Sequence, residues 1–355
     1  MIALSTEPPP SKPVVRGLER LAVTGAAGWL GQNLLHSLAV SPVAENVRGL
    51  AFSEQERARI RSANPDVETV VGDLRKEATV RALCESMRDG VIIHTAGLIH
   101  PRRIRDLYGV NVDGTRGLLQ AAVKAGVRRV VVLSSNSPCG CNPHRDHLFD
   151  EESRPNPYMH YGRSKLAMEQ VVHEFQENGK LETVIIRAPW FYGPFQPARQ
   201  TLFFQMVRDG KAPLVGDGGN RRSMAYTGNL ASGLLLAATH PAAAGETYWI
   251  ADAVPYTMSA VIDTVERLLE TEFGQTCRHG RMRLPGFVSD VAEVVDRGIQ
   301  ATGFYHQKMH VLSEMNKTIA CSVEKARREL GYQPEVALEE GMRRSMQWVM
   351  EHGGL

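Results

Sequence analysis

The three glycines of Leu21-Ala-Val-Thr-Gly25-Ala-Ala-Gly28-Trp-Leu-Gly31 constrain this chain more than any other feature. An aliphatic run over residues 18–24 leads straight into them. A segment of helical period follows, with Leu30, Leu34, Leu35 and Leu38 on one side. Strand, tight turn and helix in that order make a dinucleotide phosphate site. Gly25 permits a turn where a side chain would clash, Gly28 lets the backbone close on a pyrophosphate, and Gly31 lets the helix pack on the strand. The helix start at Trp29 and Leu30 then turns free amides and the positive dipole end to the phosphates. Taken alone, such a loop can also be a glycine-rich turn with no ligand.

The same alternation continues downstream. Strands are predicted at residues 47–52, 67–71 (running into Gly72-Asp73-Leu74), 91–95, 129–133 and 183–187. Helices are predicted at 54–63, 77–87, 106–125 and 158–177. Strands that are apolar throughout, separated by helices, specify an α/β fold, a doubly wound parallel (Rossmann) sheet. Residues 138–157, rich in Pro, Asn, Asp and His, read as a surface loop. Beyond Pro189 the alternation loosens, with helices expected at 199–208, 229–239, 258–273 and 288–302 and a short strand at 248–251. The expected organisation is a disordered tail over 1–16 and a Rossmann domain over 17–189, to which the chain returns at about 225–250. Residues 190–355 are expected to be mainly a smaller C-terminal α+β substrate lobe.

A chain of 355 residues exceeds one small core, and 43% hydrophobic with 23% charged residues is ordinary for a globular protein. A net charge of +2 gives no case for nucleic acid or a membrane surface as partner. No apolar run approaches the roughly 20 residues of a membrane span, and the proline-rich start lacks the apolar core of a signal peptide. Cysteines 84, 139, 141, 277 and 321 show neither metal spacing nor an even framework, so reduced thiols in a cytoplasmic protein, with no metal, are expected.

Chemistry is expected at Tyr161-Gly-Arg-Ser-Lys165. Residues four apart share a helix face, so the phenol and the ammonium project together. A nearby ammonium stabilises a phenolate and draws the phenol's pKa down toward a useful range. Ser134 and Ser135 end the 129–133 strand, and ligands of open parallel sheets bind outside strand carboxyl ends. A serine hydroxyl there can hold an alcohol or carbonyl oxygen while Tyr161 exchanges its proton.

The glycine loop, Gly72-Asp73-Leu74, His94-Thr-Ala-Gly97, Asn111-Val-Asp-Gly114-Thr, Ser134-Ser135, Tyr161-x-x-x-Lys165 and Arg187-Ala-Pro-Trp-Phe-Tyr-Gly-Pro194 occur in one order. Together they resemble the extended (epimerase-type) short-chain dehydrogenase/reductases. The likeness runs on through Tyr226-Thr-Gly-Asn229 and Lys325-Ala-Arg-Arg-Glu-Leu-Gly-Tyr332, and so covers nearly the whole chain after residue 17. The Tyr226 segment is most similar to the 3β-hydroxysteroid dehydrogenase-type branch. The resemblance implies that Asp73 and Leu74 contact adenine, and that Thr95, Ala96 and Gly97 line the adenylyl and ribose side. It implies that Asn111 supports the sheet edge and a water network, with Ser134 beside the catalytic Ser135. It makes Tyr161 the general acid/base and Lys165 the holder of the nicotinamide ribose, with the backbone of Pro189 to Phe191 facing the nicotinamide. It also implies a homodimer through the 106–125 and 158–177 helices.

Departures from the family pattern bear on cofactor and substrate. The end of the second strand reads Leu50-Ala51-Phe52-Ser53, without the carboxylate that holds a ribose 2′-hydroxyl, and Ser53 with Arg57 suits a 2′-phosphate. NADP(H) is therefore favoured over NAD(H), although Arg57 also reads as a solvated helix residue. Trp190 stands where sugar-nucleotide enzymes of this family carry an asparagine, which argues against a sugar group there. Arg222 matches the arginine that grips a nucleotide-sugar diphosphate, and Arg221 beside it suits an anion, with a structural ion pair as the alternative. Cys139 is expected on the substrate side, His94 as a satisfied core histidine, and Arg102, Arg103 and Arg105 on a solvated loop. The expected activity is hydride transfer between a nicotinamide and a secondary alcohol or ketone of a small molecule. The alternative is a nucleotide-sugar epimerase or dehydratase without net redox change; a nucleotide sensor is a third reading, against which the full serine–tyrosine–lysine set speaks.

Overall fold

The computed structural model describes residues 17–354, so the expected tail over 1–16 lies outside the described residues. Six strands and seven helical pieces build the first half, strands and helical segments taking turns: β1 (Leu18–Thr24), α1 (Trp29–Val40), β2 (Ala44–Ala51), α2 (Glu54–Ala63), β3 (Glu68–Val71), α3 (Glu77–Cys84) and β4 (Val91–His94). There follow α4 (Ile104–Tyr108), a π-helical turn (Gly109–Gly114), α5 (Thr115–Ala125), β5 (Arg129–Ser135), α6 (Met159–Glu177) and β6 (Glu182–Ala188). The chain then leaves the sheet through β7 (Trp190–Tyr192), α7 (Ala198–Arg208), β8 (Pro213–Val215), β9 (Arg221–Arg222) and β10 (Met224–Tyr226). It comes back with α8 (Thr227–Thr239) and β11 (Thr247–Trp249).

The main sheet has seven parallel strands in the order β11-β6-β5-β4-β1-β2-β3. Successive strand residues face opposite layers, and both layers are covered, which is why the strand centres are apolar on both faces. Leu21, Val23, Ile93, Val131 and Ile186 pack under α1 and α8, while Ala22, Ile92, Val130, Val132 and Ile185 pack under α3, α5 and α6. β2 and β4 flank β1, so the strand order reverses there and a crevice opens at the carboxyl ends. Arg129 ties this layer together from within. Its guanidinium donates to the carbonyls of Ala237 (2.9 Å) and His240 (2.8 Å) at the end of α8 and pairs with Glu182 at 2.7 Å.

The remaining elements are β12 (Tyr256–Thr257), α9 (Met258–Thr271), β13 (Met282–Leu284), α10 (Phe287–Ala301), α11 (Gln307–Glu314), α12 (Glu324–Leu330) and α13 (Leu338–Glu351). A third core forms there around Phe204, Leu214, Met224, Val265, Leu268, Met342 and Met346. Three short ladders, β7 with β10, β9 with β12 and β8 with β13, join this lobe above the crevice. Among the described residues no helix is long and apolar enough to cross a membrane.

Two expectations need correction. The long 106–125 helix is broken by the π turn at Gly109–Gly114, which carries the fully buried Asn111. The 138–157 stretch is irregular but not simply a surface loop. Cys139 and Phe149 are buried, Phe149 stacks on Trp249 with ring centroids 6.2 Å apart, and the Trp249 indole donates to the Asp150 carbonyl at 3.0 Å.

Candidate active site

The glycine turn is a cradle. Gly25 has φ of +66°, and a Cβ there would lie 2.7 Å from the Ala96 amide nitrogen. A Cβ on Gly31 would lie 2.1 Å from the Gly25 carbonyl oxygen, so α1 is seated as closely as glycine permits. Gly28 caps α1 with extended backbone, no side chain bonds the first turn, and no acid lies in it. Amides that a helix cannot satisfy internally therefore face the crevice, and this cradle fits a pyrophosphate. Trp29 steadies the rim: its indole donates to the Pro194 carbonyl at 2.7 Å and its ring meets Phe191 at 5.1 Å. Leu30 is buried beneath.

β4 carries on into Thr95, Ala96 and Gly97. The Thr95 hydroxyl donates to the Thr24 carbonyl (2.7 Å), and the Ala96 amide to the Thr24 hydroxyl (3.2 Å). His94 is satisfied between Thr24 (2.6 Å) and Thr115 (2.9 Å), and burial lowers its pKa to about 3, so it is neutral. Asn111 clasps Leu98, accepting from its amide (2.8 Å) and donating to its carbonyl (3.0 Å), and also donates to Ser164 (3.1 Å). A Cβ on Gly97 would lie 3.4 Å from Lys165 Nζ and 3.5 Å from Asn111 Oδ1, which marks a slot between them.

At the end of β2, Ser53 is occupied as the cap of α2, accepting from the Glu56 amide at 3.3 Å. The Glu56 carboxylate reaches back to accept from the Phe52 amide at 2.7 Å, and Arg57 pairs with Glu54 at 2.9 Å. Asp73 is gripped by Arg75 at 2.6 Å, which holds its carboxyl below the usual range. Leu74 is buried against Gly114.

Ser135, Tyr161 and Lys165 meet where β5 ends against α6. The Tyr161 phenol lies against Ser135, whose hydroxyl donates to Ser137 at 3.2 Å. Burial pushes the phenol up to about 12; the Ser135 bond works the other way. This differs from the expected lowering by Lys165. The lysine does share the helix face, but its Nζ donates to the Leu133 carbonyl at 2.8 Å, and burial lowers it to about 8 against the opposing charge of Glu169. Ser134 faces away from this group. It donates to Glu169 at 2.5 Å, and Glu169 in turn pairs with Arg187 at 2.8 Å, both side chains buried. This ion pair locks β5, β6 and α6 together behind the site.

The substrate-side expectations are placed unevenly. Pro189 is buried, Phe191 lies against Trp29, and Trp190 packs edge-on to Phe203 at 6.2 Å. Cys139 is 1% exposed and enclosed in the core, where burial raises its thiol to about 11, because the loop that carries it folds inward. Arg222 donates to the Glu314 carbonyl. Reading the sequence missed Glu169, whose partners Ser134 and Arg187 lie on β5 and β6, and the groups that the C-terminal lobe brings to the start of α6, where Ser313 and His310 meet Tyr158.

Residues 21–251 match the model of the NAD dependent epimerase/dehydratase family. The chain is 48% identical over 350 residues to the uncharacterised protein y4nL of Sinorhizobium fredii (strain NBRC 101917 / NGR234), covering 96% of this chain and 98% of that one. It is 29% identical over 258 residues to the N-acetyl-alpha-D-glucosaminyl-diphospho-ditrans,octacis-undecaprenol 4-epimerase of Escherichia coli O157:H7, covering 71% and 72%. Among solved structures it is similar to DesIV, the dTDP-glucose 4,6-dehydratase of Streptomyces venezuelae solved with NAD bound. That likeness has a TM-score of 0.72 and 26% identity, over 94% of this chain and 98% of that one.

Proposed function

This chain belongs to the NAD-dependent epimerase/dehydratase family, and from that premise we propose that it oxidises a secondary alcohol of a nucleotide-sugar-type small molecule and then returns the hydride, with no net redox change. The observation that carries this is the buried Tyr161 phenol, set against Ser135 at the carboxyl end of β5, with Lys165 one turn along the same helix. A bound nicotinamide supplies the hydride acceptor and, on the return step, the donor. Tyr161 takes the hydroxyl proton and later gives it back, and Ser135 holds the reacting oxygen. Lys165 holds the ribose and swings its charge toward the phenolate, which the cofactor-free arrangement leaves unassisted. Gly25, Gly28, Trp29, Leu30 and Gly31 hold the pyrophosphate. Asp73, Leu74, Thr95, Ala96, Gly97 and Asn111 shape the adenosine and ribose side, and Pro189 and Phe191 back the nicotinamide. Trp190 walls the substrate side, with Cys139 and Arg222 supporting that wall from behind.

The family and the 4-epimerase relative support this cycle over the net dehydrogenase expected first. For the cofactor, Glu56 at the Phe52 amide supports NAD(H) over the NADP(H) expected first, because a carboxylate there repels a 2′-phosphate. Ser53 and Arg57 are already engaged. A cytoplasmic homodimer through α5 and α6 belongs to the same reading, and sedimentation checks the dimer.

The test is to incubate the protein with UDP-glucose, dTDP-glucose and UDP-glucuronic acid and follow products by NMR. An epimer or dehydrated sugar formed without cofactor consumption, and lost in Tyr161→Phe, is the expected result. Stoichiometric consumption of the cofactor refutes the cycle in favour of a dehydrogenase.

A further inference from the structure

Helix α10 is turned inside out. Its protein-facing side carries Ser289, Ala292, Asp296 and Gln300, all buried and three of them polar. Its water-facing side carries Phe287, Val291, Val294 and Val295, which are 65%, 57%, 72% and 43% exposed. Their spacing sets them in one stripe about 100° wide along the outside of the helix. A surface helix of a globular protein does the reverse and turns its apolar stripe to the core. Hydrogen bonds fix the inversion. The Ser289 hydroxyl donates to the Leu312 and Ser313 carbonyls of α11 at 2.8 and 2.9 Å, and Asp296 bonds the His310 ring at 2.9 Å. Gln300 donates to Asp296 at 2.8 Å and accepts from the His160 amide of α6 at 3.1 Å. Rolling α10 to hide its valines would leave these buried groups unpaired. The stripe therefore stays in water unless something outside the chain covers it.

A basic cluster stands at the foot of the stripe. Just past the end of α10, Phe304 is 52% exposed and bridges Arg103. The Ile104 amide donates to the Gly303 carbonyl at 3.0 Å, and the Tyr305 amide to the Arg102 carbonyl at 3.3 Å. These bonds hold Arg102, Arg103 and Arg105, all exposed, beside the end of the helix. Among the described residues neither Arg102 nor Arg103 forms an ion pair, and Arg105 reaches only Asp106, at 4.0 Å. A hollow of about 410 Å³ opens between Arg103, Arg105, Tyr108 and Phe304, with room for a phosphate. The net charge of +2 over the whole chain hides this local concentration.

We propose that α10, Phe304 and the three arginines form a docking surface for an anionic lipid membrane. α10 lies in the plane of the interface, with Phe287, Val291, Val294 and Val295 entering the upper acyl region. Arg102, Arg103 and Arg105 take the phosphates of the headgroups beside it. Size and charge both favour lipid over a second copy of the chain. Four side chains expose a few hundred Å², well short of the about 800 Å² that each partner buries in a stable dimer. The exposed acids of α10 are also engaged already, Asp290 with Lys317 at 3.0 Å and Glu293 with Arg297 at 3.0 Å, so a facing α10 offers the arginines no free carboxylate. A bilayer supplies both the apolar medium and the negative charge. The surface uses none of the residues assigned to the hydride cycle.

The test sediments the full chain with vesicles of phosphatidylcholine alone and of phosphatidylcholine mixed equally with phosphatidylglycerol, in low and in high salt. The anionic vesicles are expected to bind the protein about 100-fold more tightly, a factor of about five for each arginine, and high salt is expected to shrink the difference. Replacing all three arginines by Gln removes most of that preference. Val291→Gln combined with Val294→Gln is expected to weaken binding to the anionic vesicles by about tenfold or more. Every substituted side chain is exposed, and thermal melts verify that both variants fold. Failure to bind anionic vesicles, equal binding to neutral ones, or binding that survives the valine substitutions overturns the proposal. So does sedimentation velocity without lipid in which the valine substitutions dissociate a wild-type oligomer, because a second copy then covers the stripe.

Discussion

Replacing Lys165 by Met is expected to stabilise the cofactor-free protein while abolishing turnover. Lys165 is 5% exposed, and burial lowers its pKa from 10.5 to about 8. A fall of that size corresponds to roughly 3 kcal/mol held against the ammonium in the folded state. Met has nearly the same length and no charge, but it cannot donate to the Leu133 carbonyl, and losing that bond costs about 1 kcal/mol. The net gain below pH 8 is therefore about 2 kcal/mol, a rise of a few degrees in thermal midpoint. The sign changes with pH. Below 8 the lysine is charged in both folded and unfolded chains, and the full penalty is present. Between 8 and 10.5 the folded chain releases a proton that the unfolded chain keeps, so the wild type gains stability as pH rises. Above 10.5 the penalty is gone and the wild type leads by the Leu133 bond. Urea denaturation of both proteins across this range isolates the difference, because every other titrating group is shared. A variant no more stable than wild type below pH 8, or a gap that does not narrow toward 10.5, refutes the reasoning.

Gly31→Ala places a methyl 2.1 Å from the Gly25 carbonyl, so the loop must shift; calorimetry should show cofactor affinity lost and stability lower by about 1–3 kcal/mol. Glu169→Ala leaves Arg187 charged and unpaired inside the protein, and a drop of about 3–5 kcal/mol in urea denaturation is expected. A double variant that also replaces Arg187 by Leu should lose less than the sum of the singles. For the cofactor, fluorescence titration should give NAD(H) an advantage over NADP(H) of about tenfold or more, which Glu56→Gln narrows; tighter binding of NADP(H) by the wild type contradicts the assignment.

What could be read from the chain alone is what is local. Gly25 to Gly31 and Tyr161 to Lys165 each lie within two helical turns, so spacing alone fixes their geometry. The sheet was legible because the central strands are buried on both faces and carry unbroken apolar stretches such as Val91-Ile-Ile93 and Val130-Val-Val132. Groups that only the fold assembles were not. Ser134, Glu169 and Arg187 come from β5, α6 and β6, and Tyr158 meets Ser313 and His310 across two lobes. The π turn at Asn111 sits in a sequence that reads as regular helix, and the direction of the Tyr161 shift is set by how deeply the fold buries the phenol. One local signal was passed over: Ser53 with Glu56 is a capping pair, which commits both side chains to α2. The regular apolar spacing of Leu338, Met342, Met346 and Val349 equally marks α13.

The place of β11 also governs the order in which the polypeptide can finish folding. During synthesis β6, with its Val184-Ile185-Ile186 centre, is laid down long before residues 247–249 emerge to cover its free side. Until they do, a bare hydrogen-bonding edge beside a hydrophobic layer is open to any passing strand. Slowing synthesis across the intervening lobe is therefore expected to lengthen the time that edge stays open.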